Sequence, residues 1–163
     1  MRELSFEEIL DFIRKMKVNS INVCGSPGSG KSTLTKRIAF ELGFEVIDLD
    51  SIFYNDDCVR HSKQKDEIEL NKIFTKKNYI IDGTYTSSIN YRLGKIDLFI
   101  FTKKSKLKCL YRFIKRRFIN KDIKCGEKIT LKTLELILRY KYIEQNLFKC
   151  IIPNENLIIY KDR

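Results

Sequence analysis

Residues 25–32 constrain the fold of this chain more than any other segment. Their sequence, Gly-Ser-Pro-Gly-Ser-Gly-Lys-Ser, fits the phosphate-binding pattern G-x-x-x-x-G-K-[ST] at every fixed position. The apolar run at 21–24 predicts a buried strand before the pattern, and apolar residues at helical spacing over 32–42 predict a helix after it, which Gly43 ends. A strand, a glycine-rich loop and a helix in this order indicate a site for a nucleoside triphosphate.

Each residue type in this loop has a physical role. Glycines let the backbone turn tightly and gather N–H groups around phosphate oxygens, and the start of the following helix adds partial positive charge. Lys31 is expected to reach the β- and γ-phosphates, and the Ser32 hydroxyl to ligate Mg²⁺. The alternative is a glycine-rich turn with a solvated lysine. The residues predicted to bind the nucleotide here are Gly25, Ser26, Pro27, Gly28, Ser29, Gly30, Lys31, Ser32 and Thr33.

Length and composition favour one domain spanning residues 1–163. The N-terminus is charged and no apolar run approaches the roughly 20 residues of a membrane span, so we expect neither a secretion signal nor a membrane anchor. The 5 cysteines are widely spread and form no C-x-x-C pair, which argues against a disulfide framework and a zinc site. A reducing cytoplasm is therefore the expected location.

The formal net charge of +11 is concentrated in the C-terminal part of the chain. Residues 1–100 contain 15 basic and 15 acidic residues, whereas residues 101–163 contain 17 basic and 6 acidic ones. Segment 103–128 alone has 11 basic residues. Such a concentration predicts a polyanionic partner, which is either nucleotide phosphates, nucleic acid or an anionic surface.

Strand and helix patterns alternate along the chain, which predicts an α/β fold with a five-stranded parallel sheet and helices on both faces. A capping box at Ser5 begins a first amphipathic helix, and Ile68, Ile73 and Phe74 are expected to face inward from a helix over 66–77. Strands are predicted at 21–24, 44–49, 79–81, 98–101 and 157–160, and further helices at 88–93, 105–119 and 131–148.

Three carboxylates lie at the ends of predicted strands: Asp48 and Asp50 where the second strand ends, and Asp82 after the third. Ligands of parallel α/β sheets bind beyond the carboxyl ends of the strands, so these side chains and the glycine-rich loop are expected at one edge. Asp50 could orient or deprotonate an attacking hydroxyl, or instead cap the next helix. Asp82, beside the phosphate loop, has Mg²⁺ as its natural partner.

The chain resembles the small P-loop kinases related to adenylate kinase, and most closely the bacterial DNA topology modulation proteins. The residues that carry the resemblance are GSPGSGKSTL at 25–34, VIDLDSIFY at 46–54, YIIDGTY at 79–85, Arg92 with IDLFIF at 96–101, the spacing of Arg112 and Arg116, and KCGE at 124–127. The resemblance implies a P-loop NTPase fold, an acceptor-binding segment after the second strand, and a basic helical lid at about 112–130.

The resemblance also implies roles for individual residues. Asp82 looks like the carboxylate that holds magnesium through water, and Asp48 and Asp50 look like the D-x-D of shikimate-kinase-type enzymes. In such enzymes one carboxylate supports the metal and the other receives the acceptor hydroxyl. Arg112 and Arg116 match an arginine pair at the base of the adenylate kinase lid.

Arg112 and Arg116 are one helical turn apart, so both guanidinium groups can face one phosphate and stabilise the charge of phosphoryl transfer. The alternative is that both arginines are solvated. For Arg92 the sequence allows two roles, a contact with an acceptor phosphate or a surface ion pair.

The predicted function is transfer of the γ-phosphoryl of Mg-ATP to a small hydroxyl or phosphate acceptor, such as a nucleoside or nucleotide. Lys31, Asp50, Arg112 and Arg116 are the predicted catalytic residues, and Ser32, Asp82 and Asp48 the predicted metal site.

Two alternatives remain: a nucleotide-binding protein associated with DNA, and a regulatory protein that binds nucleotide without catalysis. For the first, Tyr111, Phe113 and Phe118 interleave with basic residues, although aromatic residues at this spacing more often pack inward.

Overall fold

The computed structural model describes residues 2–55, 57, 59–119, 131–151 and 156–161. Its strands are β1 (Arg2–Leu4), β2 (Ser20–Gly25), β3 (Glu45–Asp48), β4 (Tyr79–Asp82), β5 (Leu98–Thr102) and β6 (Asn156–Tyr160). Its α-helices are α1 (Phe6–Met16), α2 (Lys31–Leu42), α3 (Leu49–Phe53), α4 (Lys63–Phe74), α5 (Ile89–Arg92), α6 (Lys106–Ile119) and α7 (Leu131–Ile151), with a 3₁₀ turn at Thr86–Ser88.

The strands form one parallel sheet in the order β1-β6-β5-β2-β4-β3. The prediction of a parallel α/β sheet is confirmed, but the number of strands was wrong, because the sheet has six strands rather than five. The additional strand is β1, which pairs with β6 at the sheet edge and is held by a 2.8 Å ion pair between Glu3 and Lys161. Strand β1 was not predicted because its three mostly exposed residues carry no alternating apolar pattern.

Apolar residues cover both faces of the sheet because successive strand residues point to opposite sides. In β5, Leu98 and Ile100 pack with α1 and α2, whereas Phe99 and Phe101 pack with residues of α3, α4 and α7. The four strands β2, β4, β5 and β6 therefore lie in a fully covered interior, and their carboxyl ends form the edge at which polar side chains collect.

Local signals set most helix boundaries. The capping box at Ser5 is present, with Oγ of Ser5 accepting from the Glu8 amide and the Glu8 carboxylate accepting from the Ser5 amide. The inward face predicted for α4 is partly wrong: Ile73 is buried, but Ile68 is 57% exposed, and Asp66 and Leu70 lie inward instead. None of the helices in the described ranges is long and apolar enough to span a membrane.

Candidate active site

The glycine-rich loop connects the end of β2 to the start of α2, as predicted. Gly28 has φ +78°, and a Cβ there would collide with the backbone carbonyl of Cys109 in α6. Gly25 has φ +155°, and a Cβ there would collide with the Thr102 hydroxyl. Both positions therefore require glycine, because the positive φ disfavours a side chain and the nearby atoms of Cys109 and Thr102 leave no room for one.

Lys31 is the first residue of α2, and its Nζ donates a hydrogen bond of 3.1 Å to the carbonyl oxygen of Ser26. The lysine side chain thus folds back over the loop. Ser32 and Thr33 follow in the first turn of α2, where backbone N–H groups lack carbonyl partners within the helix. These amides and the lysine ammonium place positive charge around the loop, which suits a polyphosphate.

The loop is tied to neighbouring strands by buried hydroxyl groups. Ser29 Oγ lies 2.6 Å from Thr102 Oγ1, which donates to the Cys24 carbonyl at 3.2 Å. Thr84, after β4, hydrogen bonds to both the amide and the carbonyl of Gly25 at 3.0 Å. The Ser29 side chain is therefore engaged in holding the loop, and only its backbone is available for the predicted nucleotide contact.

Helix α6 brings Arg112 to the loop, as its predicted role requires. A Cβ at position 30 would lie 3.8 Å from Arg112 Nη1, and Ser105 caps α6 through the Lys108 amide. The backbone of Arg116 lies one turn further along α6, but its side chain, like residues 120–130 of the predicted lid, is outside the described residues.

The aromatic residues of α6 divide between the two faces of the helix. Phe113 is buried, whereas Tyr111 is 63% exposed and has Lys115 Nζ 5.9 Å from its ring centroid. The expectation that these residues pack inward holds for Phe113 and was wrong for Tyr111. The side chain of Phe118 is outside the described residues.

The three predicted carboxylates lie at the carboxyl edge of β3 and β4. Asp48 and Asp82 are paired in register on these neighbouring strands, and Asp82 is buried. Within the described ranges no cluster of three or more His, Cys, Asp or Glu side chains could hold a metal ion. The side chains of the three predicted metal ligands, Asp48, Asp82 and Ser32, carry hard oxygen atoms of the kind that Mg²⁺ prefers.

Asp48 and Asp50 differ in what they contact. Asp48 caps α3, its Oδ1 accepting from the Asp50 amide at 3.0 Å, so the capping role considered for Asp50 belongs to Asp48. Oδ1 of Asp50 accepts a hydrogen bond from the hydroxyl of Tyr85. Burial and this hydrogen bond both raise the pKa of Tyr85, so its hydroxyl remains a donor.

Arg92 serves neither of the two roles considered for it, since its side chain is fully buried within the protein. Its guanidinium donates to Asn22 Oδ1, to the Thr84 carbonyl at 2.5 Å and to the Tyr85 carbonyl at 2.9 Å. Burial lowers its pKa to about 10, which leaves it charged at neutral pH. Arg92 therefore fixes the loop after β4, from which Thr84 reaches the glycine-rich loop and Tyr85 reaches Asp50.

A cavity of about 210 Å³ lies beside this loop, between α4 and α5. Asp66 of α4 and Tyr91 of α5 line it, and both are functional candidates that the sequence analysis missed. The lining residues between Arg60 and Leu70 follow β3 in the chain. This strand corresponds to the second predicted strand, after which the acceptor-binding segment was expected.

Comparisons with known proteins agree with this architecture. No protein-family model matches the chain. A protein of Pyrococcus abyssi named "Putative adenylate kinase" is 26% identical over 125 residues, which are 72% of this chain and 66% of that protein, just under two thirds of its length.

Solved structures show the same fold. Shikimate kinase from Acinetobacter baumannii aligns with a TM-score of 0.59 at 15% identity, covering 94% of this chain and 88% of the kinase. Deoxyadenosine kinase from M. mycoides with bound dATP aligns with a TM-score of 0.50 at 17% identity, covering 86% and 89%. The chain thus has the fold of small P-loop kinases. In this chain the sheet includes β1 as its sixth strand.

Proposed function

We propose that this chain is an ATP-dependent kinase that phosphorylates a small hydroxyl-bearing acceptor. The observation that carries the proposal is the convergence of Lys31, Arg112 and the glycine-rich loop at one point of the sheet edge. The kinase fold and the similarity to an adenylate-kinase-type protein support it.

The donor half of the site binds the triphosphate. The amides at the start of α2 and the Lys31 ammonium hold the β- and γ-phosphates, and the Arg112 guanidinium stabilises charge on the transferred group. Asp48, Asp82 and Ser32 are the residues that would hold Mg²⁺, which neutralises phosphate charge when bound. The contribution of this chain is therefore mainly positioning and electrostatic stabilisation.

The acceptor half centres on Asp50. Its carboxylate orients the acceptor hydroxyl and takes the hydroxyl proton as the acceptor oxygen forms its bond to the γ-phosphorus. The bond from that phosphorus to the bridging oxygen breaks, and ADP leaves with the bonding electron pair. Tyr85 fixes the orientation of the Asp50 carboxylate throughout.

Replacing Lys31 tests this proposal. Lys31→Ala should lower ATP affinity and phosphoryl transfer by at least about tenfold, because the point charge at the phosphates is lost. The matched control is Lys36→Ala, an exposed lysine on the same helix that should leave both unchanged. Binding is measured with a fluorescent ATP analogue and transfer with labelled ATP; a wild-type rate in Lys31→Ala would contradict the proposal.

The narrower resemblance to DNA topology modulation proteins adds a second candidate, a nucleic-acid contact on α6. The exposed Tyr111 beside Lys115 favours it, because an aromatic ring and a cation together bind bases and phosphates. DNA binding that falls steeply with salt and weakens in Tyr111→Ala would support this contact. Absence of binding at low salt would exclude it.

A further inference from the structure

The cavity between α4 and α5 has the size of a small organic acceptor. Its volume of about 210 Å³ corresponds to roughly seven molecules of liquid water, comparable with a monosaccharide or a nucleobase. Leu70 and the Tyr91 ring supply apolar surface, and Ser87 and Ser88 supply hydroxyl groups. The Tyr91 hydroxyl donates to Asn71 at 2.8 Å, which holds the ring in place. This lining suits a compact ring-shaped ligand with polar substituents.

One carboxylate oxygen of Asp66, a residue of the cavity lining, has no hydrogen-bond partner. Asp66 is only 4% exposed; Oδ2 accepts from Arg60 Nη2 at 2.9 Å, whereas Oδ1 is buried without a hydrogen-bond partner. Buried carboxylate oxygens nearly always have a donor, and a carboxylate oxygen can only accept. Asp66 lines the cavity but Oδ1 is closed to solvent, so a ligand that turns the carboxylate slightly and presents an N–H or O–H group to Oδ1 would supply the missing donor.

The charges around the cavity disfavour an anionic ligand. Arg60, which lines it, pairs with the buried Asp66 at 2.9 Å, whereas Lys63 is largely exposed and its Nζ lies 3.9 Å from Glu67 Oε1. A phosphate or carboxylate would therefore compete for a paired cation and would also approach Asp66. Like charges at such distances repel, most strongly where water is excluded.

Arg60, which lines the cavity, is in contact with the tyrosine that holds Asp50. The Arg60 guanidinium lies 5.3 Å from the ring centroid of Tyr85, and the Tyr85 hydroxyl donates to Asp50. Arg60 and Tyr85 thus form the boundary between the cavity and the carboxylate that takes the hydroxyl proton.

We propose that this cavity binds an uncharged acceptor, a nucleoside or a sugar, which donates an N–H or O–H hydrogen bond to Oδ1 of Asp66. Resting on the proposed kinase function, this assignment makes the chain a kinase of neutral hydroxyl compounds and not of nucleoside monophosphates. In the transfer itself the acceptor oxygen bonds to the γ-phosphorus, its proton passes to Asp50, and ADP is released.

The first test compares acceptors of equal shape and different charge. Nucleosides, their 5′-monophosphates, neutral sugars and sugar phosphates are incubated with labelled ATP and the full chain, and kcat/KM is measured for each. We expect a nucleoside or a sugar to exceed its own phosphate by at least about tenfold. Preference for the phosphate, or transfer to no neutral acceptor by a protein that binds ATP, would overturn the assignment. Failure to bind ATP would instead overturn the kinase function.

The second test assigns the preference to Asp66. Asp66→Asn should raise KM for the neutral acceptor about tenfold or more, with KM for ATP unchanged, because the amide replaces an acceptor oxygen by a donor. The matched control is Glu69→Gln, a half-exposed carboxylate of the same helix that pairs with Lys72 and does not line the cavity. An unchanged acceptor KM in Asp66→Asn would contradict the proposal.

A third variant keeps the proposal testable if Asp66→Asn fails to fold. Ser87 is exposed at the cavity mouth, so Ser87→Phe should fill the opening without disturbing the core. It should abolish transfer to the acceptor while ATP binding persists. Thr86→Phe, an exposed neighbour that does not line the cavity, is the control and should retain transfer. Equal acceptor KM in both phenylalanine variants would show that the acceptor binds elsewhere.

Discussion

The hydroxyl of Tyr85 donates a hydrogen bond to Oδ1 of Asp50 and joins the loop after β4 to helix α3, which follows the neighbouring strand β3. Tyr85 has φ +30°, an unfavourable conformation for a residue with a side chain. The Arg92 guanidinium and the Ser88 amide both donate to its carbonyl and stabilise this conformation. Local strain that surrounding contacts maintain is common at functional sites. Here the strained conformation of Tyr85 places its hydroxyl against the Asp50 carboxylate.

Tyr85→Phe should lower kcat about tenfold and leave KM for ATP unchanged. The variant keeps the ring but removes the donor that orients Asp50, so it disturbs the acceptor side of the reaction only. The free energy of unfolding should fall by about 1.5–3 kcal/mol, the range for a hydrogen bond to a charged group. Steady-state kinetics and urea unfolding measure both effects. Tyr142→Phe, at an exposed tyrosine, is the control, and an unchanged kcat in Tyr85→Phe would show that Asp50 needs no such orientation.

Gly28→Ala should disrupt nucleotide binding by displacing α6 from the glycine-rich loop. An alanine Cβ at this position would overlap the Cys109 carbonyl, and φ of +78° adds backbone strain. Gly43→Ala separates the two effects, because Gly43 has φ +69° with nothing within 4 Å of its added Cβ. We expect Gly43→Ala to cost only the strain, about 1–2 kcal/mol, with ATP affinity unchanged. Calorimetric ATP titration of both variants checks this; equal ATP affinities would rule out the steric effect.

The parts of the site that follow from local sequence were predictable. The loop at 25–32 is specified by contiguous residues, and the parallel sheet follows from strands that alternate with helices. Asp48 and Asp82 were placed at one sheet edge because each ends its strand, and the register confirms that they are neighbours. The roles assigned to these residues in binding and catalysis stay predictions.

The parts that depend on contacts between distant residues were not predictable. Arg92 contacts Asn22, which is 70 residues away in sequence, and no pattern in a single chain distinguishes a buried arginine from a solvated one. Asp66 faces inward because Arg60 and the cavity accommodate its carboxylate, whereas helical periodicity favoured Ile68. Burial of a charge is decided by its partners, which only the folded structure reveals.

Arg92→Met should be among the most destabilising single substitutions in this protein. It would remove the guanidinium donor from Asn22 Oδ1 and the Thr84 carbonyl, and would leave the Tyr85 carbonyl with its Ser88 donors alone, at a cost of about 3–5 kcal/mol. Arg92→Lys should restore little of the lost stability, since an ammonium group cannot reproduce the planar array of guanidinium donors.

Arg14→Met, at an exposed arginine with a 3.7 Å pair to Asp11, is the matched control for Arg92→Met. It should change the free energy of unfolding by no more than about 0.5 kcal/mol. Urea unfolding measures all three variants. If Arg92→Met matched Arg14→Met, the guanidinium network would contribute nothing to the fold.

Cys24 should make the stability of this protein fall at high pH. The thiol is fully buried at the end of β2, and burial raises its pKa from near 9 to about 11. Between these values the unfolded chain loses the thiol proton and the native chain keeps it, so the unfolded state binds fewer protons and stability declines as pH rises. Two pKa units correspond to about 2.7 kcal/mol, lost progressively between pH 9 and 11.

Cys24→Ser isolates this contribution, because serine is of similar shape, can donate to the Gly83 carbonyl as the thiol does, and does not ionise in this range. Urea unfolding of both proteins at pH 8, 9, 10 and 11 gives the difference in their free energies of unfolding. Tyr79 and Tyr85, whose pKa values are also raised, contribute equally to both proteins and cancel in that difference. The pKa of Tyr140 is raised first by burial, which the substitution leaves unchanged, and second by the charge of Cys24. The wild type should lose stability relative to Cys24→Ser only above pH 9, and parallel pH profiles would mean that the thiol ionises normally in the folded state.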